Sequence, residues 1–434
     1  MTRRALVIGL GLALGVSGTA ARADEPSTAG MKAEIEVLKD RLSSLENKLA
    51  SQEASAAGAS SGNAIIQLPS GLHGINLSGF VDTSYTYSFN EPNSRATTLR
   101  VFDTRAGDFM LNNVELALEK PVSAESPVGF RTDLHFGTDA EVTGGVTTGL
   151  GITNNELDIQ QGYVEYLAPI GNGLDIKVGK FCTLHGAEVT ESKDNWNFSH
   201  TWLFGFAEPL THTGVRATYA WNDRITTMFG VNNGWDVVDD NNKAKSIELG
   251  ATILPIEHVT LSTAYMVGAE QGSGGTASGD SHDQRHLWTI VVGYDPIERL
   301  HLKAAFDYGR EEDALAEGVD GANASWNGVA LYAKYDLSDV WSVTGRWEVF
   351  NDQDGARTLV NATGTSPTSN TIADLQLFGY TLTTEYKFNP HLIGRLEYRL
   401  DKASSAVFAH DQGAAAASFL DYQNTVAVEF IAPF

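Results

Sequence analysis

"NTVAVEFIAPF", residues 424–434, closes the chain. Asn424, Val426, Val428, Phe430, Ala432 and Phe434 fall on one side of an extended strand, and Thr425, Ala427 and Glu429 on the other. Chain ends are ordinarily polar and frayed. A sequence that stops inside an apolar strand, on a phenylalanine, points to a fold in which the last strand has a partner on each edge. A closed barrel meets that requirement, because its last strand pairs with its first and no row of N–H and C=O groups is left open.

The same alternation recurs upstream. Ile75, Leu77, Val81, Tyr85, Tyr87 and Phe89 are backed by Asn76, Ser78, Asp82, Ser84, Thr86 and Ser88. Val128, Phe130, Leu134 and Phe136 are backed by Arg131, Asp133 and His135. Leu300, Leu302, Ala304, Phe306 and Tyr308 are backed by His301, Lys303 and Asp307, and Leu392, Leu396, Tyr398 and Leu400 by Arg395, Glu397, Arg399 and Asp401. Roughly sixteen such segments follow one another, each near the length of about 9–11 residues that a tilted strand needs to cross a bilayer. No helical period of useful length is apparent beyond residue 74.

The connections alternate between short and long. Short ones fall at 121–126, 169–173, 222–223, 255–257, 295–298, 336–339 and 389–391; long polar ones include 269–283, 311–323 and 351–372. Trp221, Tyr294, Tyr335, Trp341 and Phe388 all lie beside short turns, where an interfacial girdle belongs. A soluble sandwich or propeller has no reason to keep turn length and aromatics in phase. The expectation is an all-β, transmembrane antiparallel barrel of about sixteen strands over 74–434, with periplasmic turns and extracellular loops. Phe434 then sits at the periplasmic interface.

Ahead of the barrel, residues 1–23 combine Arg3 and Arg4, an apolar run and Ala21-Arg22-Ala23, the layout of a secretory signal peptide. Within 24–51, Ile35, Leu38, Leu42, Leu45 and Leu49 make a heptad seam, expected as a periplasmic coiled-coil helix with a partner. Residues 52–73, rich in Ala, Ser and Gly, read as a flexible linker. The chain holds 30 Lys and Arg against 54 Asp and Glu; without the leader's three arginines the balance is about −27. That charge excludes a nucleic-acid or anionic-lipid binder. The single cysteine, Cys182, excludes an internal disulfide and reads as an inert wall residue.

The third long connection, 183–210, mixes Glu188, Glu191, Asp194 and Glu208 with Trp196, Phe198, Trp202, Leu203, Phe204 and Phe206. So aromatic a loop is expected to fold away from water, and the barrel interior is the nearest surface. Glu188, Glu191, Lys193, Asp194 and Trp196 are therefore the expected constriction residues. Arg131, Lys177, Arg216, Arg346, Arg395 and Arg399, on the polar sides of their strands, are the expected basic wall. Acid on the loop facing base on the wall makes a transverse field that favours small polar solutes able to orient. Acidic outer loops add a lean towards cations.

"SGFVDTSYTYSFN" (78–90), "DFMLNNVELALEKP" (108–121) and the run "DIKVGKFCTLHGAEVTESKDNWNFSHTWLFGFAEPLTHTGVRATY" (175–219) resemble the OmpL-like beta-barrel porins of Gram-negative outer membranes, the porin-2 group. The resemblance implies an outer-membrane porin for passive diffusion of small polar solutes or ions, without a cofactor. Such barrels commonly end in a strand with a terminal phenylalanine, which resembles the tag read by their insertion machinery. A homo-oligomer, a trimer by preference, fits both the resemblance and the heptads. The alternatives are an anion (phosphate)-selective porin, which needs clustered inward bases at one level, and an outer-membrane–cell-wall tether through the coil. An enzymatic or metal role for His185, Ser199, His200 and His212, or for 236–243, lacks the spacing that either chemistry requires.

Overall fold

The computed structural model describes residues 74–146, 157–271, 282–314, 323–358, 374–410 and 418–434. The expected leader, heptad helix and linker lie outside the described residues. The first strands are β1 (Asn76–Ser88), β2 (Phe109–Lys120), β3 (Val128–Phe136), β4 (Leu157–Ala168), β5 (Leu174–Cys182) and β6 (Thr211–Ala220). Next come β7 (Ile225–Asn232), β8 (Ser246–Ile253), β9 (Val259–Ala269), β10 (Gln284–Ile297), β11 (Leu300–Glu311) and β12 (Ala324–Asp336). The rest are β13 (Trp341–Asp352), β14 (Leu375–Asn389), β15 (Leu392–Ala403), the short β16 (Phe408–His410) and β17 (Ser418–Leu420), and β18 (Tyr422–Pro433).

Sixteen of these, β1–β15 and β18, form one closed antiparallel ring, while β16 and β17 make a separate hairpin in the last long loop. Closure is made by the C-terminal strand. β18 pairs with β15 on one edge and β1 on the other, and Phe434 exchanges backbone hydrogen bonds with Gly79 at 3.1 and 2.9 Å. The edge that would cost most in an apolar medium is thus consumed.

Side chains follow the period-two reading. In β18, Val428 and Phe430 are exposed outward while Gln423, Thr425, Ala427, Glu429 and Ile431 are buried inward. Trp221, Tyr294, Tyr335, Trp341 and Phe388 are all exposed on the outer face near the short turns. Trp341, Tyr386, Phe388 and Phe430 form a chain of ring contacts, and Trp221 pairs with Tyr219. Among the described residues no helix is long and apolar enough to cross a membrane.

Three expectations need correction. The turn placed at 295–298 is shorter, because β10 runs through to Ile297 with a register shift after Tyr294. A helix, α1 (Thr138–Val146), stands in the second long loop where none was expected. "TDAEVTGGV" has two glycines and weak propensity, so packing against β4, with Ala140 fully buried, must hold it. The inner face is also not uniformly polar. Leu287, Ala305, Trp326, Ala330, Phe350, Leu375 and Leu377 point inward and are almost wholly buried.

Candidate functional site

That inward apolar patch explains where the third long loop goes. The loop, L3 (183–210), leaves β5 and returns to β6, and its Trp202, Leu203 and Ala207 join one cluster with Trp326, Phe350, Leu375 and Leu377. Burying several large side chains at about 1.5–3 kcal/mol each offsets the entropy of ordering so long a loop. Trp326 Nε1–H donates to the Ala207 carbonyl at 3.0 Å, and Trp202 Nε1–H to the Leu99 carbonyl of the first long loop at 2.9 Å. Both indoles are anchored at their polar ends. At the neck of L3, Gly186 has positive φ and the Glu208 carboxylate fills the space a Cβ would take, so the two legs of the loop touch.

Polar contacts then fasten L3 to β13, β14 and β15, six to eight strands from β5 and β6 by the shorter way round the ring of sixteen. Glu397 accepts the Phe198 and Ser199 N–H groups at 2.8 and 3.1 Å, and Glu348 accepts the Trp202 N–H at 2.7 Å. Asn197 donates to Thr383 at 2.6 Å. Arg395 donates to the Ser192 and Asn195 carbonyls at 2.9 and 2.7 Å, and Arg399 to the Ser199 hydroxyl and His200 carbonyl at 3.1 and 2.5 Å. Wall carboxylates take loop donors and wall guanidinia take loop acceptors, so these backbone groups of L3 are bonded to the wall directly.

The expected constriction residues divide. Glu188 does meet the wall: its carboxylate accepts from Arg346 and Tyr332 at 3.1 Å each, and from the Thr201 N–H and hydroxyl at 2.8 and 2.9 Å. Burial pushes this carboxyl up, but Arg346, His200 and the Thr201 donors outweigh burial and hold it below its ordinary range. Glu191 meets no base and sits beside Glu115 and His135. Asp194 takes the ammonium of its neighbour Lys193 at 2.5 Å. Trp196 lies under the Lys303 ammonium, 4.5 Å from the ring centre, with its edge to Tyr332.

The basic wall divides as well. Arg346, Arg395 and Arg399 are buried and matched by Glu348, by Glu385 and Glu429, and by Asp401 and Glu348 respectively. Arg216 is held bidentately by Glu248 at 3.0 and 2.9 Å and lies over the Phe181 ring, out of reach of the loop acids. Arg131 pairs with Asp133 and Lys177 with Glu165, both half-open to water towards the short turns. The expected transverse field is therefore largely cancelled where it forms, because each base meets an acid at contact distance.

The wall carboxylates were missed as site residues. One signal was present in "RLEYRLD", where Arg395, Glu397, Arg399 and Asp401 alternate in sign on one face; register adds that Glu385 and Glu429 lie directly opposite Arg395 on both neighbouring strands. Arg100 of the first long loop, which joins Asp401 at 2.6 Å, had no such signal. Ser199 Oγ donates to Glu397 and accepts from Arg346 and Arg399 at 3.1 Å each, serving as a junction of loop and wall. His185 reaches Thr289, His200 the Val189 carbonyl, and His212 Thr183 and the Gly234 carbonyl. Burial, before any charge effect, lowers the loop imidazoles His185 and His200, and burial with the Asp307 charge raises Glu208.

The family model described as "Putative beta-barrel porin-2, OmpL-like" matches residues 74–434. The chain belongs to this family of OmpL-like beta-barrel porins. No curated protein matches the sequence. Solved structures similar in fold include an anion-selective porin from Comamonas acidovorans, at 12% identity and TM-score 0.55, covering 83% of this chain and 99% of that one. The outer membrane channel DcaP of Acinetobacter baumannii is similar at 14% identity and TM-score 0.54, covering 83% and 97%. A trimer form of OmpT, an outer membrane protein of Vibrio cholerae, is similar at 12% identity and TM-score 0.53, covering 83% and 99%. At these identities the likeness establishes the barrel fold.

Proposed function

We propose that this protein is a diffusion channel of the bacterial outer membrane for small polar solutes or ions, narrowed by L3. The observation that carries the reading is the reach of L3: a loop rooted at β5–β6 hydrogen-bonds to β13–β15, half the ring away. A sixteen-strand barrel encloses more space than its own side chains fill, and a loop laid across it sets the width of what remains. Arg131, Lys177 and Glu165 of β3–β5, with His301 and Lys303 of β11, then line the vestibule below the loop.

Selectivity in this reading is weak and towards cations. The arginines that an anion channel would use are neutralised by Glu348, Glu385, Glu429 and Asp401, while the chain as a whole is strongly acidic. Phosphate selectivity ranks second for that reason. Assembly as a homotrimer belongs to the same reading and follows the trimer form of the Vibrio protein. The heptad segment 31–51 serves that assembly or tethers the barrel to the cell wall; deleting it and asking whether the oligomer persists separates the two.

The test is planar-bilayer recording of the purified full-length protein in a potassium chloride gradient. Stepwise channels with a reversal potential on the cation side are expected. A folded, inserted protein that passes no current refutes the proposal, and a clear anion preference moves it to the phosphate class.

A further inference from the structure

Neither the loop histidines nor residues 236–243 are where the described residues gather a ligand set. That happens where L3 passes β2 and β3. Glu115, His135 and Glu191 each offer one ligand atom, and these atoms lie within 4.8 Å of one another. All three are buried, at 2, 0 and 8% exposure. Glu115 and His135 are directly opposite in the register of β2 and β3, and His135 Nε2 lies 3.1 Å from Glu115 Oε2.

We propose that Glu115, His135 and Glu191 bind a single first-row divalent cation of the zinc class, which fastens L3 to the β2–β3 wall. One imidazole with two carboxylates suits zinc and its neighbours, whereas magnesium and calcium take oxygen ligands alone. Three protein ligands with an open fourth position is a familiar zinc arrangement. Bonds of about 2.0–2.2 Å hold tetrahedral ligand atoms roughly 3.4 Å apart, so the two wall atoms are already spaced for a shared ion and a rotation of Glu191 completes the set.

Two further observations point to a cation. Asn113, fully buried, places Nδ2 3.2 Å from His135 Nδ1 and leaves its Oδ1 without a partner. An ion on Nε2 requires the proton on Nδ1; turning the Asn113 amide over then presents the orphaned oxygen to that N–H, the outer-shell bond that metal-bound histidines ordinarily make. The turn gives the buried oxygen a donor and moves the amide nitrogen into the place it leaves. Second, two buried carboxylates share one imidazole, while Arg131 is taken by Asp133 and Lys193 by Asp194. Ionising both carboxyls there is costly without a counter-charge, which a divalent ion supplies.

Binding itself does not depend on the channel reading; an effect on current does. Full-length protein in detergent, stripped with EDTA and dialysed against zinc, is expected to retain one zinc per chain. Glu191→Gln and His135→Gln should fall to background, and Asn113→Leu should bind about 10–100-fold more weakly. Glu191→Gln leaves every strand intact, and its mobility on an unboiled gel reports a folded barrel. Zinc absent from the wild type, or retained equally by Glu191→Gln and His135→Gln as an adventitious ion only, overturns the site. In bilayers, zinc should change the open-channel current of the wild type and not of Glu191→Gln. A protein that binds one zinc and passes no current leaves the site standing and refutes the channel.

Discussion

Arg399 and Arg131 have the same side chain, point to the same side of the wall and are indistinguishable by period. Arg399 has 1% of its side chain exposed, donates to Asp401, Ser199 and the His200 carbonyl, and lies 3.1 Å from Glu348, with Trp202 stacked upon it. Arg131 has 29% exposed and keeps one close partner, Asp133, beside open space. What separates them is cover. L3 and the first long loop lie directly on Arg399 and its partner Asp401, whereas Arg131 sits nearer the short turns with its side chain partly open. Inward bases are therefore of two kinds: those enclosed between wall and loop and those left partly open to water.

The widest gap between the two kinds should come from removing each charge. Arg399→Met leaves Glu348 and Asp401 buried with less compensation and frees the loop carbonyl of His200. The expected cost is about 3–5 kcal/mol, read as a lowered urea midpoint, with L3 becoming open to protease and conductance rising. Arg131→Gln leaves Asp133 its Gln161 donor, so it should cost clearly less than Arg399→Met and instead shift the reversal potential towards cations. Equal stability losses in both variants would erase the distinction.

A smaller loss is expected from the apolar seat. Trp326→Phe removes the N–H that the Ala207 carbonyl accepts and leaves that oxygen buried without its donor. About 1–3 kcal/mol is expected, confined to L3 and visible as faster amide exchange across 201–207 with the barrel strands unchanged. Exchange that rises evenly around the ring would mean that the loop and wall unfold as one unit and that the seat has no separate role.

These contrasts also mark how far the sequence could be read. Strand count, direction, closure by β18 and the outward girdle were legible because each rests on a local period or a turn length. The inward course of L3 was legible from its aromatics alone. Its partners were not, since Glu188 and Arg346 are 158 residues apart and meet only through the ring order. The same holds for the cancelled field. Arg395 lies between Glu385 and Glu429 by register, and register across three strands follows from turn geometry that composition does not contain. Helix α1 escaped because tertiary packing overrode a poor propensity.

Acidification offers the finest comparison, because covered and open histidines should answer differently. Burial keeps His200 below its ordinary 6.5, so the ring stays neutral in the folded loop and takes a proton on release. A group of this kind weakens the fold as pH falls below the unfolded value. His185 works in the same direction. Glu188, held low, adds its loss only as pH falls past the ordinary carboxylate range. Glu208 and Glu191, raised mainly by burial, act oppositely, since they are protonated more readily in the fold and oppose it as pH rises. The sum therefore hides the histidine, whereas a difference reveals it. Between pH 7.5 and 5, wild-type L3 should lose anchorage relative to His200→Gln, because only the wild type takes up a proton on release of the loop. His301→Gln is the control from the open vestibule, where the ring meets Asp295 and Asp336 at 2.8 and 3.2 Å beside water. Protease cutting within L3, measured across that range, decides the matter: a wild-type and His200→Gln pair with parallel pH profiles would show that the covered ring is not kept neutral by its burial.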